Sequence, residues 1–550
     1  SKILLDIQKK YSSLSKPHPY LLGEKSIFGI MPDWNPAEII GTRPRPLALS
    51  LYKELITDGV WAYQRDNYGY RKLRSFPLLV SLYGLPYIDV RVSFNSFIPS
   101  DLNNDLANRL VNYYLRCLEE SPNKHDKVEF DIIFSCYTLD LPERLSEIRK
   151  IGFSENECND ILNSLRQLTN KITHTEDGLW VKDIHKIEKL KSKQLIILKS
   201  NLSEVEKIYW LIEDCKRYGT LPFAGLARAG FIAVQLLKSM VKVGVLSKDE
   251  YENYMSSLDT VNSDMQEDLK GDKNEFLREY GHLRPGTYDI LSPRYDEVPD
   301  IYFNWTHEES KARKKYKKKF SLSLESMNNI EELLIKHKIE HSAKSLFKFI
   351  KGAIEGREYA KFIFTKSLSD ALSLITNLAK KYELNIDDLS YCDINIIKKL
   401  YSSSNDIKDS FESSIFSGKE NYLKTCSLTL PPLISSKDDI VSFILPPNEP
   451  NYITLKSIRG NIIFENSPKE EFSGNILLIK SADPGYDWIF SHGIGGFITM
   501  YGGANSHMAI RAAELSIPAI IGAGEGLYQQ LADASFLDID CANKKVNILR

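Results

Sequence analysis

The stretch TMYGGANSHMAIRAAELSIPAIIG, residues 499–522, predicts more local structure than any other part of the chain. The GGFITM pattern that runs into it is typical of a buried strand, and the glycines that follow allow positive φ in a turn. Asn505 or Ser506 is a natural N-cap for a helix that begins at His507, and Pro518 should end that helix. We therefore predict a strand, a glycine turn and a helix whose first turn carries a histidine.

That helix end would affect both the charge and the ligands of His507. Backbone N–H groups in the first turn have no helical partner, and the helix dipole is positive there. The field disfavours imidazolium, so we expect a neutral ring near pH 7 with a free lone pair. The same donors would stabilise a phosphoryl group bound to the ring. The residues alone leave two interpretations open, a phosphohistidine and a capping histidine without chemistry.

Charge and composition argue against several classes of partner. The 550 residues contain 71 Lys and Arg and 73 Asp and Glu, a balance that does not favour nucleic acid or an anionic membrane surface. The basic run KARKKYKKKF at 311–320 is short and isolated, which favours a solvated helix or linker over an RNA- or DNA-binding site. The sequence contains no run of about 18 apolar residues and no signal-peptide pattern.

The seven cysteines never show C-x-x-C spacing, which favours reduced thiols over disulfides or a zinc site. We therefore expect a cytoplasmic protein with no metal site, and with neither nucleic acid nor membrane as a partner.

Periodicity divides the chain into three stretches. Residues 1 to about 100 mix turns, helix and extended segments, among them PYIDVRVSFNSFIP, which alternates like a strand. From about 101 to 425 apolar residues recur at helical spacing, with one break at GHLRPGTYDILSPRYDEVPD. From about 430 short β-branched runs surround one strong helix. We predict a multidomain α+β protein, with a largely helical domain followed by a C-terminal α/β domain.

The C-terminal pattern resembles the mobile phosphohistidine domain of phosphoenolpyruvate (PEP)-utilising enzymes. That family includes PEP synthase, pyruvate phosphate dikinase and rifampin phosphotransferase. The matching positions are Asp483, Pro484, Thr499, Gly502, Gly503, Ser506, His507, Ala509, Ile510, Glu514, Pro518 and Ala519. The resemblance implies a swivelling domain with His507 as the phosphoryl carrier. The phosphate contacts that it implies are Thr499, Gly502, Gly503, Asn505, Ser506 and Arg511.

Arg511 departs from the family pattern, because it occupies a position that is usually aliphatic, while Ala513 stands where the family has arginine. It follows His507 by one helical turn and so could face the phosphoryl group. The alternative is a solvated surface arginine.

A second resemblance concerns the substrate domain of rifampin phosphotransferase-like proteins. EFLREYGHLRPGTYDILSPRYDE, at 275–297, and NPAEIIGTRPRPLALSLY both resemble its segments. The loop holds His282, Arg284, Asp289 and Arg294, which could bind a phosphoryl group and a polar substrate together. The alternative is a polar turn with a structural Arg–Asp pair. Arg228 and Arg65 are further substrate candidates, although helical arginines are more often packing or surface residues.

The resemblance also predicts the domain boundaries. Enzymes of this family charge the histidine through an ATP-grasp domain, but the chain has no stretch like it and no glycine-rich phosphate loop. We expect residues 1–30 to be a linker from that missing domain, 31–430 the substrate-binding domain and 431–550 the mobile domain, with a hinge in LPPLISSKDDIVSFILPPNEPNYI. ATP and Mg²⁺ would be bound by the ATP-grasp domain, in cis or in trans. This chain alone would not use ATP.

Four segments spread along the chain are MPDWNPAEIIG, PYIDVRVSFNSFIP, ADPGYDWIF and YGGANSHMAIRAAEL. With them the whole chain resembles PEP-synthase-like proteins of surface-polysaccharide gene clusters. That resemblance implies phosphoryl transfer to the side-chain amide nitrogen of L-glutamine for capsular phosphoramidate synthesis, with release of AMP and phosphate. Because an amide nitrogen is a poor nucleophile, a base is needed, for which His282 or Asp289 are candidates; Arg284 or Arg294 would neutralise charge. The alternatives are a rifampin-phosphotransferase-like kinase of another small molecule and a phosphocarrier module.

Overall fold

The computed structural model describes residues 2–303, 305, 320–443, 449–503 and 506–549. It consists of a helical domain followed by a C-terminal α/β domain, as predicted. The predicted phosphate contact Asn505, residues 311–319 of the basic run and residues 444–448 of the predicted hinge lie outside the described ranges.

The helical domain is built from long amphipathic helices connected by short turns. Its longer helices are Lys2–Leu14, Pro46–Tyr52, Val60–Tyr68, Asn104–Glu120, Leu141–Arg149, Glu155–Thr173, Leu179–Lys199, Glu204–Asp214, Leu221–Lys242, Lys248–Met255, Val261–Asp268, Lys273–Tyr280, Leu324–His337, Ala343–Lys381, Asn395–Ser402 and Ile407–Cys426. Its shorter helices are Pro36–Ile39, Val90–Asn95, Val128–Asp131, Pro299–Tyr302 and Ile386–Leu389, with π-helical segments at Lys53–Thr57 and Cys215–Thr220 and a 3-10 turn at Pro122–Lys124.

Capping boxes explain where several of these helices begin. Ser154 accepts the backbone N–H of Glu157, whose side chain accepts the N–H of Ser154 in return. Ser203 and Ser247 begin their helices in the same way. Each box satisfies two N–H groups that a helix end would otherwise leave without partners.

The 39-residue helix Ala343–Lys381 runs through the centre of this domain and packs against Leu221–Lys242. The continuous helical stretch Glu204–Lys242 is long and apolar enough to cross a membrane by length and composition, but 83% of its most apolar window is buried inside the protein. It is a core element, since Ile208, Leu226 and Ile232 belong to the main hydrophobic cluster.

A small antiparallel sheet joins the two ends of the helical domain. Its strands are β1 (Phe28–Gly29), β2 (Leu79–Leu82), β3 (Leu85–Asp89) and β4 (Leu433–Ile434), in the order β2-β3-β1-β4. The linker predicted over residues 1–30 thus contains a helix and a strand that pair or pack with this domain. The strand predicted in PYIDVRVSFNSFIP stops at Asp89, because the Asp89 side chain accepts the N–H of Val92 and begins a helix.

The α/β domain is a seven-stranded mixed sheet with a parallel centre. Its strands are β5 (Asn451–Ile453), β6 (Ser457–Phe464), β7 (Ile476–Ser481), β8 (Gly496–Tyr501), β9 (Ala519–Ile521), β10 (Phe536–Asp540) and β11 (Lys545–Ile548), in the order β11-β10-β6-β7-β8-β9-β5. Strands β6 to β9 are parallel. The helices are His507–Leu515 and Gly524–Ala532, and 3-10 segments lie at Lys469–Glu471 and Pro484–His492.

The loop between Tyr280 and Pro299 belongs to the helical domain and packs against the α/β domain. Tyr295 lies in one hydrophobic cluster with Trp488 and Phe497 of the α/β domain, and its hydroxyl donates to the Gly485 carbonyl at 2.8 Å. A Cβ on Gly485 would lie 2.0 Å from the Arg284 carbonyl oxygen, so only glycine allows this approach. This loop therefore helps to hold the carboxyl end of the parallel strands against the helical domain.

Candidate active site at the domain interface

His507 lies at the carboxyl end of the parallel sheet, where ligands of open α/β sheets commonly bind. Strand β8 ends at Tyr501, and the helix begins at His507 after the glycine turn. Ser506 is the N-cap, since its hydroxyl accepts the N–H of Ala509 at 3.2 Å. The predicted strand and the helix that begins at His507 are confirmed, although His507 is buried against the helical domain and only 5% exposed.

Two carboxylates contact the His507 ring, one on each nitrogen. Nδ1 lies 2.6 Å from Oε2 of Glu358, which belongs to the central helix of the helical domain. Nε2 lies 2.8 Å from Oδ2 of Asp487, which belongs to the 3-10 segment of the α/β domain. Since a carboxylate can only accept here, both nitrogens carry protons.

The carboxylates determine the charge of the ring. Burial opposes protonation, but Asp487 and Glu358 outweigh it and raise the pKa of His507 to about 9. Burial likewise opposes ionisation of Glu358, yet His507 lowers the pKa of that carboxyl to about 2. The expectation of a neutral ring near pH 7 is wrong for this docked arrangement, because two anions within hydrogen-bond distance outweigh the field of one helix end.

Arg511 is buried beside the carboxylate of Asp487 and does not lie on the surface. It is 1% exposed, forms an ion pair with Glu514 and places Nε 3.5 Å from Oδ1 of Asp487. Arg511 thus orients the carboxylate that contacts His507.

The glycine turn already contacts a carboxyl group from the other domain. The Gly503 N–H donates to Oε2 of Glu38 at 3.1 Å, and burial raises the pKa of that carboxyl to about 7. Gly502 has φ of 151°, and Thr499 Oγ1 accepts the Gly522 N–H at 3.0 Å. A side chain of the helical domain therefore occupies a backbone donor that the sequence assigns to phosphate.

A cavity of about 170 Å³ opens beside His507 between the two domains. The α/β domain contributes Asp483, Gly503 and Ser506 to its wall. The helical domain contributes both charged and aromatic side chains, among them Asp33, Trp34, Arg65, Glu129, Phe130, Phe223, Arg228, Phe231, Arg357 and Lys361. A larger cavity of about 440 Å³ at the same interface is lined by Met31, Leu85 and Met500, but not by His507.

A strained turn forms one side of the 170 Å³ cavity. Asp33, Trp34 and Asn35 have φ of 50°, 48° and 38°, a run of left-handed residues without glycine. Arg65 Nη2 and Ser93 Oγ hold the Asp33 carboxylate at 3.0 and 2.9 Å. Such conformations cost energy, and they cluster at functional sites.

Comparison with known protein families identifies the domain that carries His507. Residues 472–544 match the family model of the PEP-utilising enzyme mobile domain. None of the curated proteins matches the chain. The match supports the PEP-utilising family and points to a phosphotransferase that works through a phosphohistidine. The mobile domain contains His507, Asp487 and Asp483, whereas Glu358 lies outside it.

The loop residues predicted to bind substrate fall into two groups. His282 and Arg284 line a small cavity of about 40 Å³ that His507, Glu358 and Asp487 also line. Burial lowers the pKa of His282 to about 3, and its Nε2 lies 3.2 Å from the Phe362 carbonyl. Arg284 donates to Ser369 Oγ and to the Ser292 carbonyl at 3.2 and 3.0 Å.

Asp289 and Arg294 lie outside both cavities that contain His507. Oδ1 of Asp289 accepts the N–H of Leu291 at 2.9 Å within its own turn. Arg294 pairs with Asp296 and Asp370. Arg228 and Arg65, by contrast, line the 170 Å³ cavity.

Several residues of the site carry no signal in the sequence. Glu358 and Lys361 lie on a helix whose periodicity only predicts packing, and Glu38 follows an unremarkable Asn-Pro helix start. Asp487 follows the Asp-Pro turn of the family pattern, and no other feature of the sequence marks it. Among the described residues, no group of three or more His, Cys, Asp and Glu side chains has the geometry to hold a metal ion.

Proposed function

We propose that the protein transfers a phosphoryl group from His507 of its mobile domain to the side-chain amide nitrogen of L-glutamine. The observation that carries the proposal is the cavity beside His507, which both domains enclose and which combines charged groups with aromatic walls. A phosphocarrier would need the histidine alone, whereas this cavity offers room for an acceptor. Phosphorylation of His507 by ATP, with Mg²⁺, would take place on a separate ATP-grasp domain.

The size of the cavity favours a small acceptor over an antibiotic. Sites for drug-sized ligands usually measure roughly 300–1,000 Å³, and the cavity beside His507 measures about 170 Å³. A free amino acid is compatible with that volume, and a macrocycle is not unless the domains move apart.

Asp483 is the best-placed proton acceptor. Its Oδ1 accepts from the Gly485 N–H at 2.8 Å and from Thr287 Oγ1 at 3.1 Å. Its Oδ2 is buried and has no hydrogen-bond partner among the described residues. Burial raises the pKa of Asp483 to about 6, which keeps the group ionised near neutral pH yet basic enough for general-base catalysis. His282 is too weak a base at a pKa of about 3.

The transfer replaces the bond between phosphorus and the ring nitrogen with a bond between phosphorus and the amide nitrogen. The amide N–H loses its proton to Asp483 as the nitrogen forms a bond to phosphorus, and the bond between phosphorus and the His507 ring breaks. Lys361 and Arg357 line the cavity and provide positive charge for the transferring group. The released ring nitrogen takes up a proton, which Asp483 returns through water. Glu358 and Asp487, one of which the phosphoryl group displaces from the ring, then both stabilise the imidazolium.

A single-turnover experiment tests the proposal without any nucleotide. The chain is phosphorylated chemically with potassium phosphoramidate, L-glutamine is added, and ³¹P NMR follows the phosphohistidine signal; His507→Asn identifies the signal of His507 among those of the ten histidines. We expect the His507 signal to be replaced by a phosphoramidate signal only when glutamine is present. The proposed acceptor would be contradicted if the His507 signal decayed at the hydrolysis rate with glutamine while the phosphoryl group was transferred to a rifamycin.

A further inference from the structure

Arg228 and Glu129 form a buried ion pair on the wall of the 170 Å³ cavity, and none of the proposed transfer steps uses it. Nη2 of Arg228 donates to Oε2 of Glu129. Arg228 is only 4% exposed, although it lines an open cavity. The pair comes from two elements, Val128–Asp131 and Leu221–Lys242, so the tertiary fold brings it together.

Arg228 retains donors that the protein does not satisfy. Its Nε and Nη1 atoms are buried and have no hydrogen-bond partner among the described residues. Phe231 and Phe97 hold the guanidinium in place, with ring centroids 5.0 and 5.1 Å from Cζ. Leaving such donors unpaired in the interior is unfavourable, so the arrangement is explained if a ligand oxygen binds there.

The charges around the cavity indicate what kind of ligand this is. The positive charge of Arg228 is balanced by the carboxylate of Glu129, and that of Arg65 by the carboxylate of Asp33. A ligand with only one charge would disturb this balance, whereas a zwitterion preserves it. Both oxygens of Asp33 are already engaged by Arg65 and Ser93. Glu129 accepts from Arg228 through Oε2, and its other oxygen is the acceptor nearest to Arg228 on the same ion pair. Glu38, Asp126 and Asp483 are the further carboxylates of the wall. Phe130 and Phe223 provide apolar walls for an aliphatic stem.

We propose that Arg228 and Glu129 bind the zwitterionic end of a free α-amino acid, Arg228 taking the α-carboxylate and Glu129 the α-ammonium group. The inference rests on the proposed function, in which the side-chain amide of the same molecule reaches His507. It specifies that the acceptor is a free amino acid and not a peptide-bound or decarboxylated amide.

Acceptor analogues and variants test this subsite together. L-Glutamine is compared with 4-aminobutyramide, which lacks the carboxylate, and with glutaramic acid, which lacks the ammonium group, in the single-turnover transfer. We expect each analogue to lose at least about tenfold in second-order rate constant, the size of one charged hydrogen bond. In Arg228→Gln the rate constant with glutamine should fall by a similar factor. The rate constant with 4-aminobutyramide should stay close to that of the wild type with the same analogue. Glu129→Gln should behave in the same way with glutaramic acid.

This loss of discrimination separates ligand contact from a structural role, since a merely misfolded site would slow all acceptors alike. Arg109→Gln is the matched control, because Arg109 pairs with Glu157 on the exposed surface. Discrimination between glutamine and 4-aminobutyramide that persists in Arg228→Gln would overturn the subsite.

Calorimetric binding of L-glutamine to the unphosphorylated chain separates this inference from the proposed function. Binding that requires the α-carboxylate and Arg228, but without transfer, would support the subsite and contradict the proposed function. Transfer to glutamine and to 4-aminobutyramide at equal rates would overturn the subsite and leave the proposed function standing. An absence of both binding and transfer would overturn both.

Discussion

Replacement of Glu358 by glutamine changes the charge on only one side of the His507 ring. Glutamine keeps the size of the side chain and can still accept a hydrogen bond at Nδ1, where Glu358 Oε2 now lies at 2.6 Å. Asp487 at Nε2 is unaffected. The variant therefore isolates the electrostatic contribution of the helical domain to the histidine.

The expected change in pKa follows from the two contacts. The His507 pKa rises from the ordinary 6.5 to about 9 although burial opposes the rise, so the carboxylates stabilise the imidazolium by a net of about 3 kcal/mol. If they contribute equally, loss of one removes at least half of that difference. We expect the pKa of His507 in Glu358→Gln to fall to about 8 or below.

The same contact links pH to docking of the mobile domain. Asp487 stays with His507 when the domains separate, whereas Glu358 does not. Docking is therefore stabilised only by the contact between His507 and Glu358, which contributes about 1–2 kcal/mol. Because docking raises the pKa, this stabilisation is complete below the pKa of the separated domain. It is lost as the pH rises through about 9.

Histidine-selective ¹⁵N NMR measures the pKa of His507 in the wild type and in Glu358→Gln. Glu355→Gln is the matched control, since Glu355 lies on the same helix one turn earlier and accepts the Asp259 N–H at 2.6 Å. A wild-type His507 that titrates near its ordinary value, or the same pKa in wild type and Glu358→Gln, would refute the reasoning.

Three further variants test other parts of the structure. Asp483→Asn should slow transfer by about 10²–10⁴-fold with little change in glutamine binding, and wild-type transfer should rise with pH through about 6; stopped-flow rates that remain unchanged would exclude Asp483 as the base. Gly485→Ala should weaken docking, because its Cβ would lie 2.0 Å from the Arg284 carbonyl oxygen; interdomain fluorescence transfer equal to wild type would contradict this. Asp89→Ala should lower the free energy of unfolding by at least about 1 kcal/mol through loss of the cap on the Val92 N–H; urea unfolding measures it, and an unchanged midpoint would argue against the cap.

Local sequence determined the elements on which the site is built. A short apolar run and glycines predict β8 and its turn, Ser506 determines where the following helix begins, and apolar periodicity predicts the long helices between 101 and 425. These features depend on interactions within a few residues, so a single sequence is enough to predict them. The family pattern around His507 rests on the same local order.

Only the tertiary structure decided the charge and surroundings of His507. Glu358 lies 149 residues away along the chain, and no local pattern marks it as a partner of the ring. The left-handed turn at Asp33–Asn35, the free donors of Arg228 and the burial of Arg511 likewise depend on contacts between residues that are distant in the sequence. Sequence order predicts which groups a helix end presents, but charge depends on distance in space, which is fixed when the mobile domain packs against the helical one.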